Sequence, residues 1–181
     1  MRQVDNAERA RQLAQELIIV DTHIDAPYRL TEEDADVGEA TDGGDFDHPR
    51  AVAGGLNVPF MSIYVPASYQ ETGGAGQLAD ELIDLVEGIV DRHPDKFALA
   101  ASVADVKREV GGGKIVLAMG MENGAPIEGD LANVRRFHER GIRYITLTHS
   151  KSNAISDSSY DEDRQWDGLS PFGREVDREK G

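Results

Sequence analysis

Leu17-Ile18-Ile19-Val20-Asp21-Thr22-His23-Ile24-Asp25 is the stretch on which the fold turns. Four apolar residues in a row run directly into side chains that can hold a cation. An unbroken apolar run of this length reads as a strand buried on both faces, the habit of parallel sheets. It predicts a buried strand over residues 17–23. Alternate residues of an extended chain point to the same side, so the His23 imidazole and the Asp25 carboxylate can approach one cation.

Reading outward, Ala7 to Glu16 has helix-forming composition. Residues 31–54 are acidic and glycine-rich, with Asp42-Gly43-Gly44 as a turn signal, and read as a loop excursion between strands. A strand is predicted from Leu56 to Val65. A helix follows over about 77–92, with Leu78, Leu82, Leu85, Val86 and Ile89 on one stripe. Phe97 to Ala100 reads as a short strand. Ser102 is then an N-cap with Asp105 three residues on, and that helix stops at Gly111-Gly112-Gly113. Lys114 to Glu122 is another strand. Leu131, Val134 and Phe137 mark a helix that Gly141 ends. Tyr144 to His149 is a fifth strand, and Pro171 to Lys180 a last helix with proline in its first turn.

Strands alternating with helices argue for an α/β fold with a parallel sheet, and a doubly wound sheet and a (β/α) barrel both fit. The 181 residues suffice for one domain, 1–181. A dinucleotide site is excluded, because the triple glycine precedes a strand, whereas a phosphate loop follows one and opens a helix. The formal charge of −15 repels nucleic acid and anionic membrane, so neither is an expected partner. With no cysteine, any metal site must use His, Asp and Glu, which suits zinc, manganese or iron. No stretch has the length of a membrane span or the core of a signal peptide, so the expected location is cytoplasmic.

Polar residues gather at the C-terminal ends of the predicted strands: His23 and Asp25 after the first, Glu122 at the fourth, His149 at the fifth. That edge is where parallel α/β folds build their sites. Glu122 offers two oxygens and can bridge two metal ions, between which a water loses its proton near neutral pH. Each residue alone has a plainer reading: chance produces H-x-D often, and Glu122 and His149 could be solvated or hydrogen-bonded strand ends. His48, His93 and His138 read as loop or helix-surface residues, His93 sitting before Pro94 at a helix end. A serine nucleophile elbow (G-x-S-x-G) and the H-E-x-x-H zinc motif are both absent.

Taken together, these stretches make the sequence resemble the renal or membrane dipeptidase family of zinc peptidases, bacterial branch. The matching runs are Asp21-Thr22-His23-Ile24-Asp25 with Ala26-Pro27-Tyr28-Arg29, then Gly54-Gly55-Leu56-Asn57-Val58-Pro59 and Met121-Glu122-Asn123-Gly124. They continue with Tyr144-Ile145-Thr146-Leu147-Thr148-His149-Ser150 through Asn153 to Asp157-Ser158-Ser159, and with Gly168 through Val176. The resemblance implies a TIM-like (β/α) barrel with a binuclear zinc site. His23 and Asp25 would hold one zinc, Glu122 would bridge both, and His149 would contact the substrate and polarise the scissile carbonyl. It also implies dipeptide hydrolysis, by attack of a metal-bridging hydroxide.

The family places two further zinc-binding histidines on later strands, and none has an equivalent here. The resemblance thus implies an N-terminal portion of the barrel, about five parallel strands. Weak or no activity alone is expected, and association with a second copy or a complementing C-terminal part. Two alternatives stand beside it: a non-catalytic remnant or binding fragment of that family, and another metal-dependent barrel amidohydrolase. Amidohydrolases of that kind usually open with H-x-H, whereas Asp25 takes the second place here.

Overall fold

A computed structural model describes residues 5–179. Its elements run α1 (Asn6–Glu16), β1 (Ile19–Ile24), α2 (Ala26–Glu32), α3 (His48–Gly54), β2 (Leu56–Tyr64), α4 (Tyr69–Thr72), α5 (Ala75–Arg92) and β3 (Phe97–Leu99). They continue with α6 (Val103–Gly111), β4 (Ile115–Glu122), a single 3-10 turn at Ala125–Ile127, α7 (Ala132–Glu139), β5 (Ile142–Thr146) and α8 (Pro171–Glu179). The strands form a five-stranded sheet in the order β1-β2-β4-β3, with β5 also on β4. The pairings of β1 with β2, β3 with β4 and β4 with β5 are all parallel. This is the expected α/β alternation. Lys180, placed in the last helix by sequence, lies outside the described residues. Among the described residues, no helix is long and apolar enough to cross a membrane.

The chain divides into two compact units, Met1–Met61 with Val86–Ala118, and Ser62–Leu85 with Met119–Gly181. In the first, Val58, Ala100, Val116 and Ala118 are buried together, with Phe60, Val106 and Val110 packed against them. Each large aliphatic side chain buried this way stabilises by about 1.5–3 kcal/mol relative to exposure. The Ser102 hydroxyl accepts from the Asp105 amide at 3.1 Å and donates to its carboxylate at 2.6 Å, so the predicted cap is formed at α6. Gly55 closes α3 with φ of 77°, and a Cβ there would strike the Ala14 carbonyl of α1, which leaves only glycine.

Two sequence expectations fail in this unit. The 17–23 run is not buried: β1 shows only its two ends half-covered, and Leu17, Ile18 and Val20 are 57%, 49% and 47% exposed. A run of apolar residues reports hydrophobicity, not what lies on each face of the sheet. Residues 31–54 are also more than a loop excursion, since 48–54 form α3 and the segment before it is fastened at several points. His93 Nε2 lies 2.7 and 2.9 Å from the two Asp36 oxygens, and Lys96 donates to Gly38 O at 2.8 Å and to Glu39 at 2.6 Å. His93 does stand at a helix end, directly after α5, but half-buried and holding Asp36 it anchors this segment and is not a plain surface residue, and His48 packs edge-on to Phe97. His138 is exposed, as expected.

In the second unit, Leu82, Met121, Ile127, Phe137, Ile155 and Val176 are fully or nearly fully buried. Asp80 takes both Arg136 Nη1 (2.7 Å) and Arg140 Nη1 (3.0 Å), and Arg140 Nη2 reaches Asp84 at 2.5 Å, tying α7 to α5. The register of β4 against β5 shifts between Met119 and Met121, at Gly120, where the Tyr144 ring occupies the place of a side chain. β5 ends at Thr146, so His149 sits in the segment beyond the strand and not at its last residue.

Candidate functional site

β1 delivers His23 as its next-to-last residue, and its pairing with β2 shifts register between Asp21 and Ile24. Irregular pairing at the end of a strand re-aims side chains. The His23 amide donates to Asp21 Oδ1 at 3.0 Å, which fixes the local backbone. Asp25 occupies the N-cap position of α2, with Pro27 in the first turn, yet its carboxylate makes no capping bond. It stands 3.3 Å from His23 Nε2 instead. A carboxylate at an N-cap normally accepts from the helix amides; this one remains available as a ligand.

His23 and Asp25 line a cavity of about 510 Å³ together with Asp21, Arg29, Phe46 and Arg50. Its wall is held by Asp47, which is 1% exposed and accepts from the Arg50 amide (2.8 Å), Arg50 Nε (2.9 Å) and the Thr41 amide (2.9 Å). Burial alone would push the Asp47 carboxyl up. The Arg50 and Thr41 hydrogen bonds outweigh it and hold the group far below the usual carboxylate range.

In the second unit, β4 ends on Glu122. Ser62 Oγ, fully buried on β2, donates to Glu122 Oε2 at 3.0 Å, and His149 Nε2 lies 3.3 Å from Oε1. The His149 ring meets Tyr64 edge to face at 5.1 Å between centroids. The segment after β5 curls back so that Ser158 Oγ donates to the His149 carbonyl at 2.7 Å. His149 Nδ1 is buried with no hydrogen-bond partner among the described residues, which leaves one ring nitrogen uncommitted.

The structure thus brings His23 to Asp25, and Glu122 to His149. Reading the sequence missed Ser62, Tyr64, Asn123 and Asn153. Ser62 and Tyr64 were hidden inside an apolar strand, where nothing marks a hydroxyl or a ring as facing a carboxylate or an imidazole. The two asparagines were visible only as parts of longer runs. As a donor set, imidazole nitrogen and carboxylate oxygen without thiolate suit a zinc or another borderline divalent ion. In the first unit the uncapped Asp25 carboxylate is free to take a ligand, and in the second the buried His149 Nδ1 has no hydrogen-bond partner among the described residues.

Imidazole and carboxylate side chains at or just beyond the strand ends of a parallel sheet are the groups from which metal-dependent hydrolases build their sites. The sequence family described as membrane dipeptidase (peptidase family M19) matches residues 7–180. The chain belongs to that family of metallopeptidases. Among its relatives, Dipeptidase aclJ of Aspergillus oryzae is 34% identical over 140 residues, covering 74% of this chain and 33% of that protein. Two solved structures share the fold. One is the probable dipeptidase PvdM from Pseudomonas aeruginosa, with a TM-score of 0.78 at 23% identity, covering 93% of this chain and 45% of that one. The other is a metallo peptidase from Rhodobacter sphaeroides liganded with a phosphinate mimic of the dipeptide L-Ala-D-Ala, with a TM-score of 0.76 at 21% identity, covering 90% of this chain and 55% of that one. The chain spans between a third and a half of the length of the curated relatives it matches.

Proposed function

We propose that this chain carries the metal-binding and substrate-polarising side chains of a zinc-dependent dipeptidase. The observation that carries the reading is Glu122, at the end of β4 in a member of the dipeptidase family, with one oxygen on Ser62 and the other facing His149. In this reading His23, Asp25 and Glu122 are the residues that would hold zinc. Zinc, when bound, supplies Lewis acidity and a water acidic enough to be deprotonated near neutral pH.

The chain's own residues do the rest. Ser62 holds the Glu122 carboxylate in one orientation by its 3.0 Å hydrogen bond. His23 Nε2 and Asp25 Oδ1 stand 3.3 Å apart, close enough to approach one ion. His149, steadied by Tyr64 and by Ser158, presents a ring nitrogen to the carbonyl oxygen of a dipeptide and stabilises the negative charge that develops there. A dipeptide such as L-Ala-D-Ala is the substrate class. We place weak or no turnover in these 181 residues by themselves, and full activity in association with a complementing segment or a second copy.

Zinc binding is the direct test. The purified chain is titrated with zinc against a chromogenic chelator, alongside His23→Ala and Glu122→Gln. The expected result is at least one bound zinc, with affinity reduced 10-fold or more in each variant. L-Ala-D-Ala hydrolysis, measured in parallel, is expected to be weak and abolished by chelator. Wild-type affinity in both variants, or turnover indifferent to chelator, would overturn the reading.

A further inference from the structure

Asn123 follows Glu122 directly, is fully buried, and has φ of 78°, in the left-handed region. Glycine adopts that backbone at no steric cost. An asparagine there needs a reason in its side chain, and the structure supplies one. Asn123 Nδ2 donates to the Val65 carbonyl at 2.9 Å, while the Val65 amide donates to the Glu122 carbonyl at 3.1 Å. The residue just past β2 therefore grips the 122–123 dipeptide from both sides.

The other end of the amide faces the segment that carries His149. Asn123 Oδ1 accepts from the Ala125 amide (3.2 Å) and from Asn153 Nδ2 (3.1 Å). Asn153 Nδ2 also donates to the Leu147 carbonyl at 2.7 Å, which the Gly124 amide reaches at 3.2 Å. Asn153 Oδ1 accepts from the amides of Ile155 (2.8 Å) and Ser156 (3.2 Å). Both protons of the Asn153 amide group and its oxygen are thus spent on fixed backbone or on Asn123. A buried network satisfied in this way is rigid, and breaking one member strands the others.

We propose that Asn123 and Asn153 form a positioning pair that locks the ends of β2 and β4 to the segment after β5 and so sets the Glu122 carboxylate against the His149 imidazole. Neither asparagine touches substrate; both act through the two residues they hold. The proposal rests on the reading of Glu122 as a zinc ligand and of His149 as a substrate contact.

The test uses zinc affinity and one readout independent of metal. Asn123→Gly keeps the backbone conformation and deletes the amide; Asn123→Asp keeps the acceptor and deletes the donor. Both are expected to weaken zinc binding about 10-fold or more, as outer-shell changes do, and Asn123→Gly to weaken it less than 2-fold when Glu122→Gln is already present. Asn153→Ala, a half-buried site, is read by the nuclear Overhauser contact between the Tyr64 and His149 rings, expected to be lost while the circular dichroism spectrum stays that of the wild type.

Wild-type zinc affinity in Asn123→Gly, an equal loss with and without Glu122→Gln, or a surviving ring contact in Asn153→Ala each overturns the positioning role. If Glu122→Gln alone leaves zinc affinity unchanged, the metal reading falls, and the ring contact decides the positioning role by itself. The same ring contact decides it should Asn123→Gly fail to fold.

Discussion

Asp161 gathers the segment that follows β5. Its carboxylate accepts from the Ser152 amide at 2.5 Å and from Lys151 Nζ at 3.0 Å. These bonds, the Ser152 backbone first, lower the Asp161 carboxyl from its ordinary 3.8 to about 2. A carboxyl lowered on folding adds stability that is complete above the unfolded value and is lost as pH falls through the folded one. The Ser152 amide should therefore lose hydrogen-exchange protection between about pH 3.8 and 2, and the Asp161 carboxyl carbon should titrate near 2. A midpoint at 3.8 would show that the grip is absent in solution.

At this same scale His23, Asp25, Glu122 and His149 stand out in the sequence as candidates, because each lies in or just beyond an apolar run where polar side chains are conspicuous. The sequence concealed Asn123, which stood there only as part of the run Met121-Glu122-Asn123-Gly124. Its value lies in partners 30 and 58 residues away (Asn153 and Val65), and no local pattern reports those.

Among the elements, β4 and β5 show how one small residue fixes a pairing. Gly120 interrupts the register, and the Tyr144 ring fills the space its side chain would need. Gly120→Ala forces that ring aside and is expected to cost about 1–3 kcal/mol in denaturant unfolding. Combined with Tyr144→Ala, the alanine at 120 should cost markedly less than it does alone, the signature of a direct steric couple. Additive losses would contradict the contact.

The long elements were legible because their signals are repeated: α5 by its stripe, where Leu82, Val86 and Ile89 are buried, and α6 by its cap. The short helices α2 and α3 were not. Seven residues each, with Pro27 and Pro49 in their first turns, they offer too few periods for a stripe to show, and the acidic, glycine-rich context of 31–54 reads as loop. The exposure of β1 was illegible for another reason: burial is a property of the neighbours, and they are named only by the topology.

For the molecule as a whole, the excess of 34 acidic over 19 basic residues is a standing self-repulsion. Raising ionic strength from about 0.01 to 1 M shortens the screening length from about 30 to 3 Å. Some exposed ion pairs weaken at the same time, but each is worth little, so net relief of repulsion should dominate. The midpoint of thermal unfolding of the zinc-free chain should rise with sodium chloride by about 2–4 °C, equivalent to about 1 kcal/mol. A midpoint that falls with salt would mean that the paired charges outweigh the unpaired ones.

That screening has a second effect, set by the entry to β1. Leu17 and Ile18, just before β1, and Val20 on it lie open to water, and β1 stands at one end of the sheet order. The charge that strains each molecule also keeps molecules apart, and an adhesive strand is harmless only while they stay apart. Brine that toughens a single copy against heat should thus invite copies to clump through their greasy margins, so the buffer giving the highest melting point should also give the shortest shelf life.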